Sequence, residues 1–333
     1  MRIAFTGVSH WHTDFYVRPV ERSSGTEIVG VSDPSEAAAS RWRQRLGTES
    51  FASYQEMCER TRPDFVFALG RHADMVATAG YLIESGIPFA MEKPCGVTLA
   101  QIARIRDEAA ARNSFAAVPF FYRYSDLRNL ISELADGEEL RYGMFRLVPG
   151  TAARYRDWGT GWHLDRGLSG GGCTLNLSIH FFDLVRVLAP TASWTVAAAS
   201  MSSAMSGVEV EDYSVALLEA DGRRAVVETA YATVCAGGET AISVYTDSRH
   251  FKLDAATGSV IVAAAGAEDQ VFRGGSQADH YAAFVADTMD RVSAGRPPAA
   301  GLADMFEAAR LAESAYRRAG DQVSMTGDFS VGA

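Results

Sequence analysis

Only Lys93 and Lys252 among the 31 basic side chains of this 333-residue chain are lysines; the rest are arginines. Lys93 stands in Glu92-Lys93-Pro94, directly after the apolar run Pro88-Phe89-Ala90-Met91. A guanidinium stays charged at any working pH, whereas an ammonium gives up its proton more easily once it is desolvated. A lysine held between a carboxylate and a proline at a strand end therefore reads as a reactive group. A second set of candidates, Asn176, His180 and Asp183, falls at i, i+4 and i+7, one stripe of a single predicted helix. The rest of that helix is apolar nearly all round, so it is expected to be buried, and its polar stripe then needs partners. Gly170-Gly171-Gly172 precede it and are expected to bring its N-terminus close to cofactor or substrate. An imidazole, with a pKa near working pH, suits general-base duty at His180.

A third group lies after the first apolar run, in Gly7-Val8-Ser9-His10-Trp11-His12. A dinucleotide-binding turn would carry three spaced glycines, for the turn, the approach to pyrophosphate and the helix–strand contact. Only Gly7 is present; Ser9 is small enough for the same approach, and His12 forces the next helix to stand off the sheet. Asp33 ends the next strand, where a carboxylate accepts from the adenosine ribose hydroxyls and repels a 2′-phosphate, which favours NAD over NADP. The alternative is that Asp33-Pro34 caps the following helix. His10 and His12, with His72, His163 or His180, raise the possibility of a metal, but the spacing lacks a helix-face pair, and no metal is expected.

A net charge of −10 and a pI near 5.2 argue against a nucleic-acid partner. No apolar run reaches the length of a membrane span, and the N-terminus reads as a strand rather than a signal peptide, so a cytoplasmic protein is expected. Cys58, Cys95, Cys173 and Cys235 show no metal or disulfide spacing and read as reduced thiols.

These groups must be positioned by elements that the pattern also predicts. Strand-like runs begin at Arg2, Glu27, Phe65, Pro88 and Phe115, with helix-like stretches over 34–46, 54–61, 73–85 and 98–112 between them. Such an alternation makes a doubly wound parallel sheet with helices on both faces, here over residues 1–121. Residues 122–333 read differently, as an α+β domain. Helices over 125–134 and 173–188 flank an irregular segment; alternating runs with hairpin turns follow, and helices over 279–293 and 301–318 close the chain.

Asp64-Phe65-Val66, Gly86, Glu92-Lys93-Pro94 and the run from Gly170 to Asp183, in that order, resemble the glucose–fructose oxidoreductase / inositol dehydrogenase / MocA family of nicotinamide-dependent oxidoreductases. The resemblance extends to Arg123, Glu211-Asp212-Tyr213 and the closing helices. It implies a Rossmann domain and a second domain with a large open, mostly antiparallel sheet that pairs subunits into a homodimer or homotetramer. It implies NAD, with NADP as the alternative, as cofactor and a sugar, polyol or related small polar substrate, oxidised at a secondary alcohol. Lys93 would contact the reacting oxygen, and Asn176 and His180 occupy the positions of the family's carboxylate and histidine. Gly7, Val8, Ser9, His10, Asp33, Gly70, Arg71, His72, Glu92 and Lys93 would hold the cofactor; Arg71-His72 stand where the family usually has Pro-Asn. Arg123, Trp162, His163 and Asp165 are weaker candidates for the substrate wall, Trp162 as a platform for a sugar ring. Two other readings use the same cofactor site: redox-neutral elimination or imine or enone reduction, and a nicotinamide-binding regulatory protein.

Overall fold

The computed structural model describes residues 1–232, 238–254 and 257–320, so Cys235 and the end of the second predicted domain lie outside the described residues. The first sheet contains β1 (Arg2–Thr6), β2 (Glu27–Ser32), β3 (Glu49–Phe51), β4 (Phe65–Ala68), β5 (Phe89–Met91) and β6 (Ala116–Ala117). All its pairings are parallel, in the order β3-β2-β1-β4-β5-β6. That is the doubly wound dinucleotide-binding order, with its crevice at the C-terminal ends of β1 and β4, where the strand order reverses. The connecting helices are α1 (Thr13–Arg22), α2 (Glu36–Leu46), α3 (Tyr54–Thr61), α4 (His72–Glu84) and α5 (Leu99–Ala111). The strands bury both faces, as a covered parallel sheet requires: Phe65, Val66, Phe67 and Ala68 are all buried.

The second unit adds α6 (Asp126–Leu134), β7 (Tyr142–Val148), α7 (Ala153–Asp157), α8 (Arg166–Ser169) and α9 (Ile179–Leu188). Then follow β8 (Thr195–Ser202), β9 (Tyr213–Ala220), β10 (Arg223–Ala230), β11 (Glu239–Tyr245), β12 (Arg249–Asp254), β13 (Ser259–Ala264) and β14 (Gln270–Arg273). They form one sheet in the order β14-β13-β12-β11-β7-β10-β9-β8, antiparallel except where β7 meets β10. Burial alternates along β9 and β7, so one face packs on α9 and the other stands open, exposing Tyr142 and Met144. The last helices, α10 (Gln277–Ser293) and α11 (Leu302–Ala319), return to the first unit, where Val118 N donates to Ala300 O at 3.0 Å.

Two elements escape the sequence pattern, while α1, expected after His12, tolerates Pro19 in its interior because its apolar face Tyr16, Val17 and Val20 is buried. β3 has only three residues. β7 lies in the stretch read as irregular, yet is central to the large sheet; its Gly143 leaves room for the Phe145 ring, 2.6 Å from where a Cβ would stand.

Candidate active site

Lys93 follows β5, and its ammonium is buried against the turn that opens α9. Its Nζ donates to the Asn176 main-chain oxygen at 2.8 Å and to Asn176 Oδ1 at 2.7 Å. Both contacts depend on a π-helical turn at Thr174–Ser178, where the Ile179 N–H reaches back five residues to Thr174 O. The same amide donates from Nδ2 to the hydroxyls of Tyr155 at 2.7 Å and Tyr231 at 3.0 Å, which fixes its orientation. Burial lowers the Lys93 pKa to about 8, against the opposing pull of the Glu92 carboxylate. The Lys93–Pro94 peptide is cis.

Glu92 anchors this lysine from the other side. Its Oε1 accepts from His12 Nδ1 at 2.7 Å and from Tyr16 OH at 2.5 Å, with Tyr281 OH at 3.5 Å, joining α1, β5 and α10 at one carboxylate. Burial alone would favour the neutral acid, but His12, His10 and Lys93 hold it well below the ordinary carboxylate range. Burial also lowers the pKa of His12, so its contact with Glu92 is a neutral N–H donating to a carboxylate. His12 thus fills the place of the missing third glycine by reaching to Glu92, a role its sequence position does not disclose.

A cavity of about 830 Å³ opens from Lys93, Asn176 and His180 toward the face of the large sheet. Aromatic side chains wall the reacting end: Trp11, Phe121, Tyr155 and Trp158, with Arg154 among them. The His180 ring packs edge-on against Phe121 at 4.6 Å, and its Nδ1 is buried without a hydrogen-bond partner. Burial, with Lys93 adding to it, pushes the His180 pKa well below its ordinary value. Burial thus disfavours the charged form of His180, where an imidazole titrating near working pH is expected from the sequence.

The cofactor-side residues gather at the C-terminal ends of β1, β2 and β4. Gly7 has φ +71°, and a Cβ there would sit 2.3 Å from Leu69 O, so only glycine lets the two loops approach. Gly70 lies opposite it with φ +118°. Val8 and His10 are buried; Ser9 N donates to Asp33 Oδ2 at 2.7 Å, while Oδ1 accepts from Ser35 N at 2.8 Å. Ser35, not Asp33, caps α2. Arg71 is exposed and paired with Asp74 at 2.7 Å. His72 Nδ1 lies 2.7 Å from Ser169 O, and burial lowers its pKa to about 3. A carbonyl can only accept, so Nδ1 carries the hydrogen and Nε2 is a bare acceptor, buried without a partner. An unmet acceptor of this kind, beside a cradle that a Cβ would fill, fits a nicotinamide dinucleotide with its carboxamide donors.

Several expectations are corrected. Arg123 is no substrate wall: its guanidinium bonds Asp183 at 2.7 and 2.5 Å, Asp304 at 2.7 Å and Ala299 O at 2.7 Å. Both oxygens of Asp183 are engaged by this guanidinium, so Asp183 braces the fold through Arg123. Trp162 and His163 stack on each other at 3.7 Å and pack on His72 at 4.9 and 5.0 Å; His163 backs the cavity walls Trp11 and Tyr155 at 4.4 and 4.9 Å, and neither residue lines the cavity itself. Asp165 is exposed and caps α8. The glycine triplet approaches protein rather than ligand: a Cβ would lie 2.7 Å from Val97 at Gly170, 2.1 Å from Tyr316 OH at Gly171 and 1.9 Å from Glu211 O at Gly172. His10, His12 and Glu92 bring ligand atoms within 4.8 Å of one another, but hydrogen bonds already join them, His10 Nδ1 accepting from His12 N at 3.1 Å. Tyr155, Tyr231 and Arg154 were not found from the sequence; the clustering of aromatic and arginine residues over 154–158 was the available signal. Cys58, Cys95 and Cys173 are buried free thiols.

Comparison with known proteins agrees with this arrangement. Residues 1–120 match the oxidoreductase family with an NAD-binding Rossmann fold, and residues 137–251 match the GFO/IDH/MocA C-terminal domain. The chain belongs to the Gfo/Idh/MocA family of oxidoreductases. That family is one of oxidoreductases with an NAD-binding Rossmann fold. It is 26% identical over 175 residues to the rhizopine catabolism protein MocA of Rhizobium meliloti, a match spanning 52% of each chain, about half the length of that relative. An oxidoreductase from Agrobacterium radiobacter, solved with NAD+, L-tartaric acid and magnesium, superposes with a TM-score of 0.85 at 16% identity over 98% of both chains. An inositol dehydrogenase homologue from Azotobacter vinelandii with NAD+ gives 0.82 at 17% identity, over 96% of this chain and 95% of that one. Levoglucosan dehydrogenase with NADH and levoglucosan gives 0.83 at 14% identity, over 97% and 98%. These likenesses establish the fold. No helix among the described residues is long and apolar enough to cross a membrane.

Proposed function

We propose that the protein interconverts a secondary alcohol and a ketone on a sugar, polyol or related small polar substrate, with NAD favoured over NADP. The supporting observation is Lys93: a buried amine at the closed end of the cavity, fixed by both oxygens of Asn176, with its pKa at about 8. When bound, a nicotinamide ring supplies the hydride acceptor or donor. Gly7, Val8, Ser9, His10 and Gly70 would cradle the dinucleotide, Asp33 would accept from its ribose and His72 would offer its bare acceptor, while Glu92 holds the end of β5. In oxidation, neutral Lys93 takes the hydroxyl proton while the carbinol carbon loses its hydrogen as hydride. The ammonium so formed holds the carbonyl oxygen and returns the proton in reduction. His180, neutral and hydrogen-bonding, orients the hydroxyl; Asn176 does not titrate and positions Lys93. The open sheet face, with Tyr142 and Met144 exposed, pairs subunits. Turnover of a sugar and polyol panel, followed at the nicotinamide band, tests the reading. Product formation without any change in that band would replace it with redox-neutral chemistry.

A further inference from the structure

We propose that the substrate is an anion, a hydroxy acid or acidic sugar whose carboxylate is bound by Arg154 while Lys93 engages its carbinol oxygen. The proposal rests on the alcohol-oxidation reading above and names the substrate class for that site. Arg154 lines the cavity beside the reacting end. Its Nη2 donates to Tyr155 OH at 2.8 Å, the same hydroxyl that accepts from Asn176, so an unbroken hydrogen-bonded chain links Arg154 to Lys93. The guanidinium is clamped among three rings: 4.7 Å from Tyr155, 5.5 Å from Trp158 and 5.5 Å from Tyr231. It has no carboxylate partner among the described residues, and its Nε is buried with no hydrogen-bond partner at all.

The missing carboxylate sets Arg154 apart, since Arg223 and Arg249 also bury an unpaired Nε. A structural arginine in a protein of net charge −10 would readily meet a carboxylate, as the half-buried Arg123 and Arg223 do. Leaving a charged donor unpaired away from water costs stability unless a ligand satisfies it. Asn176 sharpens the point. An aspartate there would sit 2.7 Å from Lys93 Nζ and add a second carboxylate to that of Glu92; the amide keeps the hydrogen bond without adding a negative charge. The cavity's own carboxylate, Asp126, is engaged elsewhere, accepting from Gly275 N at 2.6 Å and facing His280 at 3.5 Å. Two cations with no counter-charge between them at an aromatic, partly desolvated end make a site for an anion bearing a hydroxyl. A guanidinium held flat presents the planar fork that a carboxylate matches.

The test pairs each neutral sugar with its acid: glucose with glucuronate and gluconate, galactose with galacturonate. Turnover is followed at the nicotinamide band with wild type, R154Q and R154K, and binding in the presence of NAD+ by calorimetry. NADH titration first confirms that each variant is folded. The acid members are expected to be preferred at least about 10-fold in kcat/KM. The acid-to-neutral ratio should fall about 30-fold or more in R154Q and by less in R154K, which keeps charge but loses the fork. Preference for the neutral members, or a ratio unmoved by R154Q, overturns the anion site and leaves the dehydrogenase standing. Selective acid binding that R154Q abolishes, without turnover, sustains the anion site and sinks the dehydrogenase reading. Neither binding nor turnover with any member overturns both.

Discussion

Replacing Asn176 by aspartate tests whether Lys93 is the group that exchanges the substrate proton. The new carboxylate would occupy the position of Oδ1, 2.7 Å from Lys93 Nζ. At an effective dielectric of about 20, two unit charges at that separation attract by roughly 6 kcal/mol. The aspartate's own desolvation consumes much of this, and an opposite charge at contact typically moves a pKa by about 1–3 units. Lys93, at about 8 in the native protein, should therefore titrate roughly two units higher in N176D. The sign follows from the role. Oxidation needs the neutral amine, so its rate rises with pH through the Lys93 pKa, and N176D shifts that limb upward. At pH 8 the neutral fraction falls from about one half to about one in a hundred, a loss of roughly 50-fold in kcat/KM that recovers near pH 10. Ketone reduction uses the ammonium and should hold its rate to higher pH in the variant. The assay is the pH profile of kcat/KM in both directions. A limb that stays near 8 in N176D, or a native profile without one, would refute the assignment of the proton to Lys93.

Other expectations concern the frame around the site. G172A places a Cβ 1.9 Å from the Glu211 carbonyl, which backbone cannot avoid, and should cost about 3 kcal/mol or more. Thermal unfolding should then begin roughly 6–12 °C lower; an unchanged Tm would mean the loop can relax. His10, His12, His72, His163 and His180 are all buried, and burial lowers the pKa of each. The unfolded chain binds more protons than the folded one below the ordinary histidine pKa, so stability must decline as pH falls from about 6.5 toward 3. A Tm that is flat between pH 7 and 4.5 would contradict neutral burial. NADH should bind at least about 10-fold more tightly than NADPH, and D33N should narrow that gap. Equal affinities in wild type would remove Asp33 from the ribose.

The parallel sheet was legible because each apolar run is bounded by turn residues and followed by an amphipathic stretch. The helix after His12 is expected as well, and burial of Tyr16 and Val17 outweighs the hydrogen bond lost at Pro19. β7 falls in the stretch read as irregular, where Gly143 and Arg146 interrupt the alternation. The reacting group was legible as well: Lys93 is one of two lysines and stands at a strand end. What surrounds it was not. Glu92 meets His12 across 80 residues and Tyr281 across 189, and no local pattern encodes such contacts. The stripe on α9 was read as one unbroken helix; the π-turn at Thr174–Ser178 aims both Asn176 oxygens at Lys93, while Asp183 turns to Arg123. The glycine triplet was recognised as a close approach and assigned the wrong neighbour, because Tyr316 and Glu211 arrive from distant sequence.

The most direct test compares wild type with K93M in two steps: NADH titration by fluorescence, then turnover of the sugar, polyol and acid panel at the nicotinamide band. NADH affinities within a few-fold of each other and turnover by wild type alone are expected. Retained turnover in K93M, or failure of the wild type to bind NADH, would contradict the dehydrogenase reading.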